Sequence, residues 1–216
     1  MHIPDGLVPA PVAIGGYALT GLATWYSLRQ INRRPEPTAG IPKAALLTAA
    51  FFVASSIHVP IPPASVHLVL NGLLGVVLGY YAFPAILIGL FFQAVMFGHG
   101  GLTTLGVNAA MMGIPALLAY HLFRVYPRFE QALKPNWAIA CFAFLAGAFG
   151  LGLATLIFLI LIITTIPAGF DAATEQTAVY GLAIAHIPLM ILEGIFTAML
   201  VLFLRRVKPE LLKGEI

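Results

Sequence analysis

The stretch WAIACFAFLAGAFGLGLATLIFLILIITTI, Trp137–Ile166, carries no charged residue and exceeds the about 20 apolar residues that take a helix across a bilayer. A run of this kind has no place on a water-facing surface, and it sets the fold as helical and membrane-spanning. The rest of the chain agrees. Of its 216 residues 60% are hydrophobic and 9% charged, against roughly 25% charged in an ordinary soluble domain. Too few charged side chains remain to cover a soluble exterior.

Working outward by the same criterion, candidate spans lie near Val8–Ser27, Ala44–His58, Ser65–Tyr80, Phe83–Met96, Leu105–Val125, Trp137–Ile166 and Thr177–Leu204. The second, third and fourth are short. They read as tilted or partly re-entrant helices covered by neighbours, because non-helical backbone cannot face lipid. Every Lys and Arg falls in one of three clusters: Arg29, Arg33, Arg34 and Lys43; Arg124, Arg128 and Lys134; Arg205, Arg206, Lys208 and Lys213. The positive-inside rule makes all three cytoplasmic. One candidate span precedes the first cluster, four separate it from the second, and two more precede the third, so the parity is consistent. The segments left outside hold only Asp5, Asp171 and Glu175 as charged residues. The expectation is an all-α, polytopic membrane protein of about seven transmembrane helices. Its N-terminus lies outside, its C-terminus is cytoplasmic, and residues 1–216 form one integral membrane domain.

Several classes drop out. The single Cys141 allows neither a disulfide framework nor a Cys-based zinc site. No GxxxxGK[ST] loop is present to hold nucleotide phosphates, and no basic, aromatic-interleaved stretch suits nucleic acid. A charged leader region with a cleavage site is absent, so the start of the chain is expected to be kept. Small residues spaced by four, such as Ala143/Gly147 and Ala148/Gly152, allow close helix packing within the bundle or against another membrane subunit.

The histidines carry the chemistry. On this topology His2 is outside and His58, His67 and His99 fall near the outer ends of the second, third and fourth spans, with His186 deeper in the last span and His121 at the cytoplasmic end. Any one of them alone reads equally well as an interfacial amphipathic residue; their gathering at one end favours a site. Met1-His2 is more specific. Histidine is too large for removal of the preceding methionine, so Met1 keeps a free α-amine. That amine, the His2 main-chain nitrogen and the His2 imidazole are consecutive donors that can wrap a metal in two fused chelate rings. Nitrogens held in a plane suit Ni(II) or Cu(II). His67 and Asn71 are expected on one face of a helix at i, i+4, and Asn108 to open the fifth helix after the glycine-rich Gly98–Gly106. Glu193 and Gln93 are polar groups inside apolar spans; they read either as parts of an ion pathway or as hydrogen-bonding groups between helices.

Met1–Gly6 (MHIPDG), the VPIP turn leading into a histidine (Val59–His67) and GGLTTLGVN (Gly100–Asn108) resemble the CbiM/NikM proteins, the substrate-capture components of energy-coupling-factor importers for cobalt and nickel. The resemblance covers nearly the whole chain. It implies a metal site formed by the Met1 amine, the His2 main-chain nitrogen and imidazole, and His67, with Ni(2+) or Co(2+) as transported substrate. His58, His99, Asn71, Asn108 and Asp5 are then expected as residues that capture the ion or support its ligands. It also implies partners: a transmembrane coupling subunit, cytoplasmic ATPase subunits and a small accessory membrane protein, all at a prokaryotic plasma membrane. The chain itself is not expected to be an enzyme. A passive metal channel and an intramembrane metal-dependent enzyme are the alternatives. The sequence between Ser65 and Gly72 departs from the common family pattern around the histidine, which leaves nickel and cobalt undivided.

Overall fold

The computed structural model describes residues 2–57, 59–61, 64–129, 135–165 and 172–212. Seven α-helices follow in order: α1 (Ala10–Asn32), α2 (Ile41–Ser56), α3 (Asn71–Leu78), α4 (Ala82–Phe97), α5 (Leu105–Phe123), α6 (Pro135–Thr165) and α7 (Ala172–Val207). Six of them match expected spans to within a few residues at each end. Among the described residues four stretches are long and apolar enough to cross a membrane: Asn71–Phe97, Leu105–Phe129, Asn136–Thr165 and Gln176–Val207. The shorter Ile41–Ser56 is also apolar.

The all-α class stands, with one small hairpin in a connection, where β1 (Val59–Ile61) and β2 (Ala64–Val66) pair antiparallel with Val59 opposite Val66. One expectation fails, just after it. The expected third span, Ser65–Tyr80, is helical only from Asn71 to Leu78. At a rise of about 1.5 Å per residue such a helix covers only about 12 Å, too little to cross alone. The causes are local. Val66 is taken up in the strand, and Leu70 at φ 54° stands in the left-handed region that stops a helix extending backwards. At the other end Gly79, φ 57°, turns the chain through a short 3₁₀ segment, Gly79–Tyr81, into α4. His67 therefore precedes α3, and His67 and Asn71 do not share a helix face.

α3 is the axis of the bundle. All its residues are buried, and it packs against α4, α5, α6 and α7. Glycines make this possible: a Cβ on Gly72 would collide with the main chain of Ala146 and Gly147 in α6, and one on Gly75 with the Ala116 carbonyl in α5. Asn71 pins the junction, its Nδ2 donating to the carbonyls of Gly150 at 2.9 Å and Met112 at 3.2 Å. Around this axis the outer helices show apolar faces, with Ile184, Ile187, Ile191, Ile195, Met199 and Phe203 exposed along α7. That is the inverse of a soluble protein's surface, and it fits a lipid surround.

Because its obstacle is main chain, Gly72→Ala should destabilise the protein by at least about 1–3 kcal/mol, the usual cost of overpacking. Gly181→Ala, with open space around it, should be neutral or slightly stabilising. Thermal unfolding of the two variants in detergent checks the contrast.

Candidate metal centre

The N-terminal segment folds back into the bundle as non-helical chain, which raises the question of what satisfies its amides. Asn108, near the start of α5, answers it. Its Oδ1 accepts the Ile3 N–H at 2.9 Å, and its Nδ2 donates to the Ile3 carbonyl at 3.0 Å. The Thr104 hydroxyl donates to the same carbonyl at 2.7 Å. Ile3 itself is fully buried. Nearer the surface, the Asp5 carboxylate accepts the Thr103 N–H at 2.9 Å and the Thr103 hydroxyl at 2.5 Å. A side chain at Gly101 would collide with that carboxylate. Gly100, at φ 76°, would press on the Asn108 amide and approach the His2 Cβ. The glycines thus serve as a passage for the terminal segment.

His2 is delivered to a group of imidazoles. Its ring centroid lies 5.0 Å from that of His67 and 6.0 Å from that of His99, both nearly parallel. His67 is 3% exposed. His99 follows the end of α4, where Gly98 at φ 63° reverses the helix and the His99 N–H donates to the Gln93 carbonyl at 3.2 Å.

A chain of hydrogen bonds sets the state of His2. The Ser55 hydroxyl donates to the Phe51 carbonyl at 2.5 Å, so its oxygen accepts from Gln93 Nε2. That orients the Gln93 amide with Oε1 toward His2 Nε2 at 2.9 Å. An amide oxygen only accepts, so His2 Nε2 carries the proton and the lone pair rests on Nδ1. Nδ1 is the ring nitrogen that can close a chelate with the residue's own main-chain nitrogen. On His67 the assignment is reversed. Nδ1 donates to the Leu68 carbonyl at 3.1 Å, and the lone pair rests on Nε2. The two neighbouring rings are thus held in opposite tautomers.

The remaining candidates fall in three places. Met1 and His58 lie outside the described residues. Asp5 is a surface clasp, with its Oδ1 engaged by Thr103, and Asn71 ties α3 to α5 and α6. His121 meets Tyr80 edge-on and Tyr120 at a tilt, away from this group. His186 donates from Nδ1 to the Leu182 carbonyl at 2.7 Å, and its buried Nε2 has no hydrogen-bond partner among the described residues. Among the described residues no three His, Cys, Asp or Glu side chains converge closely enough to hold an ion, so an ion held here needs main-chain donors as well as the two imidazoles. Ser55 and Thr104 were not singled out in the sequence, where an isolated hydroxyl in an apolar helix gives no signal. Gln93 was visible as an amide in an apolar span, but its partner, at the far end of the sequence, was not.

Removing the Ile3 clamp forfeits about 1–3 kcal/mol per unmade buried bond. Asn108→Leu should therefore speed hydrogen exchange at the Ile3 amide by at least roughly tenfold. The Thr103 hydroxyl, with the neighbouring main-chain amides, holds the Asp5 carboxyl below its ordinary value of 3.8. Its stabilising effect is present above that unfolded value and is lost as pH falls through the lower folded one. Acid should accordingly loosen the terminal segment, and Asp5→Asn should remove that acid dependence of exchange.

Three comparisons bear on the chain as a whole. Residues 2–211 match the family described as CbiM, cobalt uptake substrate-specific transmembrane region. A Haemophilus influenzae protein assigned to metal transport is 34% identical over 212 residues, covering 98% of this chain and 97% of its own. A protein of Archaeoglobus fulgidus, named as a fused nickel transport protein NikMN, is 29% identical and extends beyond the match, which covers 69% of it. A crystal structure of a truncated transition metal transporter superposes with a TM-score of 0.78 at 23% identity, over 95% of this chain and 99% of the other, which establishes the shared fold. With the family match running from the buried His2 segment to the end of the last helix, the chain belongs to the CbiM family of metal-transport membrane proteins.

Proposed function

We propose that this protein captures Ni(2+) or Co(2+) from outside the cell, as the substrate-binding subunit of an ATP-driven importer of the energy-coupling-factor type. The observation that carries the reading is the pairing of His2 and His67, 5.0 Å apart, with their tautomers set in opposite senses. The donor set is the Met1 amine, the His2 main-chain nitrogen, His2 Nδ1 and His67 Nε2. Four nitrogens in a plane suit nickel somewhat better than cobalt. Asn108 and Thr104 hold the peptide that carries the chelate, and Gln93 holds the imidazole.

In this reading the chain makes seven crossings, with the N-terminus outside; α3 is too short to cross alone, and the non-helical residues before it and the 3₁₀ segment after it complete the third. The basic clusters support it. Arg34 stacks on Tyr81, whose hydroxyl bonds the Pro37 carbonyl, and Tyr81 lies at the end of α3 away from His67. The chain carries no nucleotide-binding motif, so uptake is driven by cytoplasmic ATPase subunits through a transmembrane coupling subunit. The extra length of the fused relative supports a further small membrane partner.

Extending the chain by one residue before Met1 converts the amine to an amide and should abolish tight nickel binding in a calorimetric titration, with the fold intact. His67→Ala should cost several kcal/mol as the loss of a direct ligand. Gln93→Leu, which only releases His2, should weaken binding about 10–100-fold. Affinity should fall steeply from about pH 8 to 6, because amine and imidazole must both lose protons to bind. Tight binding by the extended protein, or binding flat across that pH range, contradicts the donor set.

A further inference from the structure

Glu193 of α7 is the one carboxylate buried among the described residues, at 1% exposed. A buried carboxyl is expensive unless it is bonded, and among the described residues no cation acts on this one. Its partners are instead two successive main-chain amides. Val69 N–H donates to Oε1 at 2.5 Å, and Leu70 N–H donates to Oε2 at 3.0 Å and Oε1 at 3.1 Å. Both oxygens accept from main-chain N–H groups, so the carboxyl is engaged along its whole edge by this one turn.

The peptide it holds is the one that holds His67. Leu68 and Val69 share a single peptide unit. Its carbonyl end accepts the proton of His67 Nδ1, and its N–H end donates to Glu193. We propose that Glu193 is a positioning residue for the His67 ligand, acting through this peptide. The inference rests on the reading of His67 as a metal ligand. Two effects follow from the geometry. The carboxylate fixes the plane of the Leu68–Val69 peptide, and with it the direction of the His67 ring. It also polarises that peptide, making the Leu68 carbonyl a stronger acceptor for Nδ1–H and His67 Nε2 a stronger donor to the ion. In many metal sites a carboxylate bonds the ligand histidine directly; here a peptide unit stands between them. Leu70, the only non-glycine residue at positive φ among the described residues, adds a reason for the clamp. Its strained turn is held by the same carboxylate immediately before α3, and Glu193 thereby ties the ligand loop to α7, whose opposite face meets lipid.

The test is a double-mutant cycle in nickel affinity, read by calorimetry on the full chain in detergent. Glu193→Gln keeps the size and one acceptor oxygen but puts a donor NH2 where the second oxygen accepts a main-chain N–H, and should weaken binding about 10–100-fold. In a His67→Ala background, where no ring remains to be positioned, the same change should have no further effect. Melting temperature and elution volume serve as controls, and Glu193→Asp carries the same cycle should Glu193→Gln fail to fold. An equal loss in both backgrounds, or none in the native one, overturns the proposal while leaving the ligand set standing. If His67→Ala alone leaves affinity unchanged, the ligand assignment itself is wrong.

Discussion

The rest of the site depends on one requirement, that non-helical main chain inside an apolar bundle must have its amides and carbonyls bonded. Asn108 meets it for Ile3 with a single side chain, accepting from the N–H and donating to the carbonyl. A side-chain amide is suited to this because it presents a donor and an acceptor side by side. Its recognition is of main chain and not of a particular side chain, so it fixes the direction of the segment and leaves His2 free to serve chemistry. With Ile3 fixed, His2 can fall only where Gln93, His67 and His99 meet it.

A second tier of buried polar groups works in the same way. Asn71, Gln93, Thr104 and Glu193 each sit in apolar surroundings, and each bonds main chain, or a group that does. In a medium without water such groups act as specific joints, because an unmade bond has no solvent to replace it. Small residues supply the complement. Gly72, Gly75 and Gly150 let α3 lie against the backbones of α5 and α6, so the short helix below His67 is enclosed on all sides. The apolar exterior of α7 and the polar joint at Glu193 are thus opposite faces of one helix.

Much of this was legible in the sequence, and the exceptions are physical. Apolar length located α1, α2 and α4–α7, because hydrophobic burial and lipid act on long windows. Met1-His2, His67 and His99 were singled out by residue type, and the described three are together. The stretch from Ser65 to Leu70 does not form the helix expected of it, because a short apolar run is equally a strand, a turn or part of a helix. Nothing local announces that Leu70 adopts a left-handed backbone; the carboxylate stabilising it comes from Glu193, far along the chain. For the same reason Asn71 was expected to face the site beside His67. Once the helix begins after His67, its amide points to Met112 and Gly150 instead.

The central claim is that two imidazoles and two N-terminal main-chain nitrogens hold the ion, and the electronic state of bound nickel tests it most directly. Protein loaded with one equivalent of Ni(II) should be diamagnetic, with a yellow-orange absorption band, as expected for four nitrogens in a plane. A paramagnetic, six-coordinate centre with oxygen ligands would contradict the account, placing the ion on carboxylates or water and not on the terminal chelate.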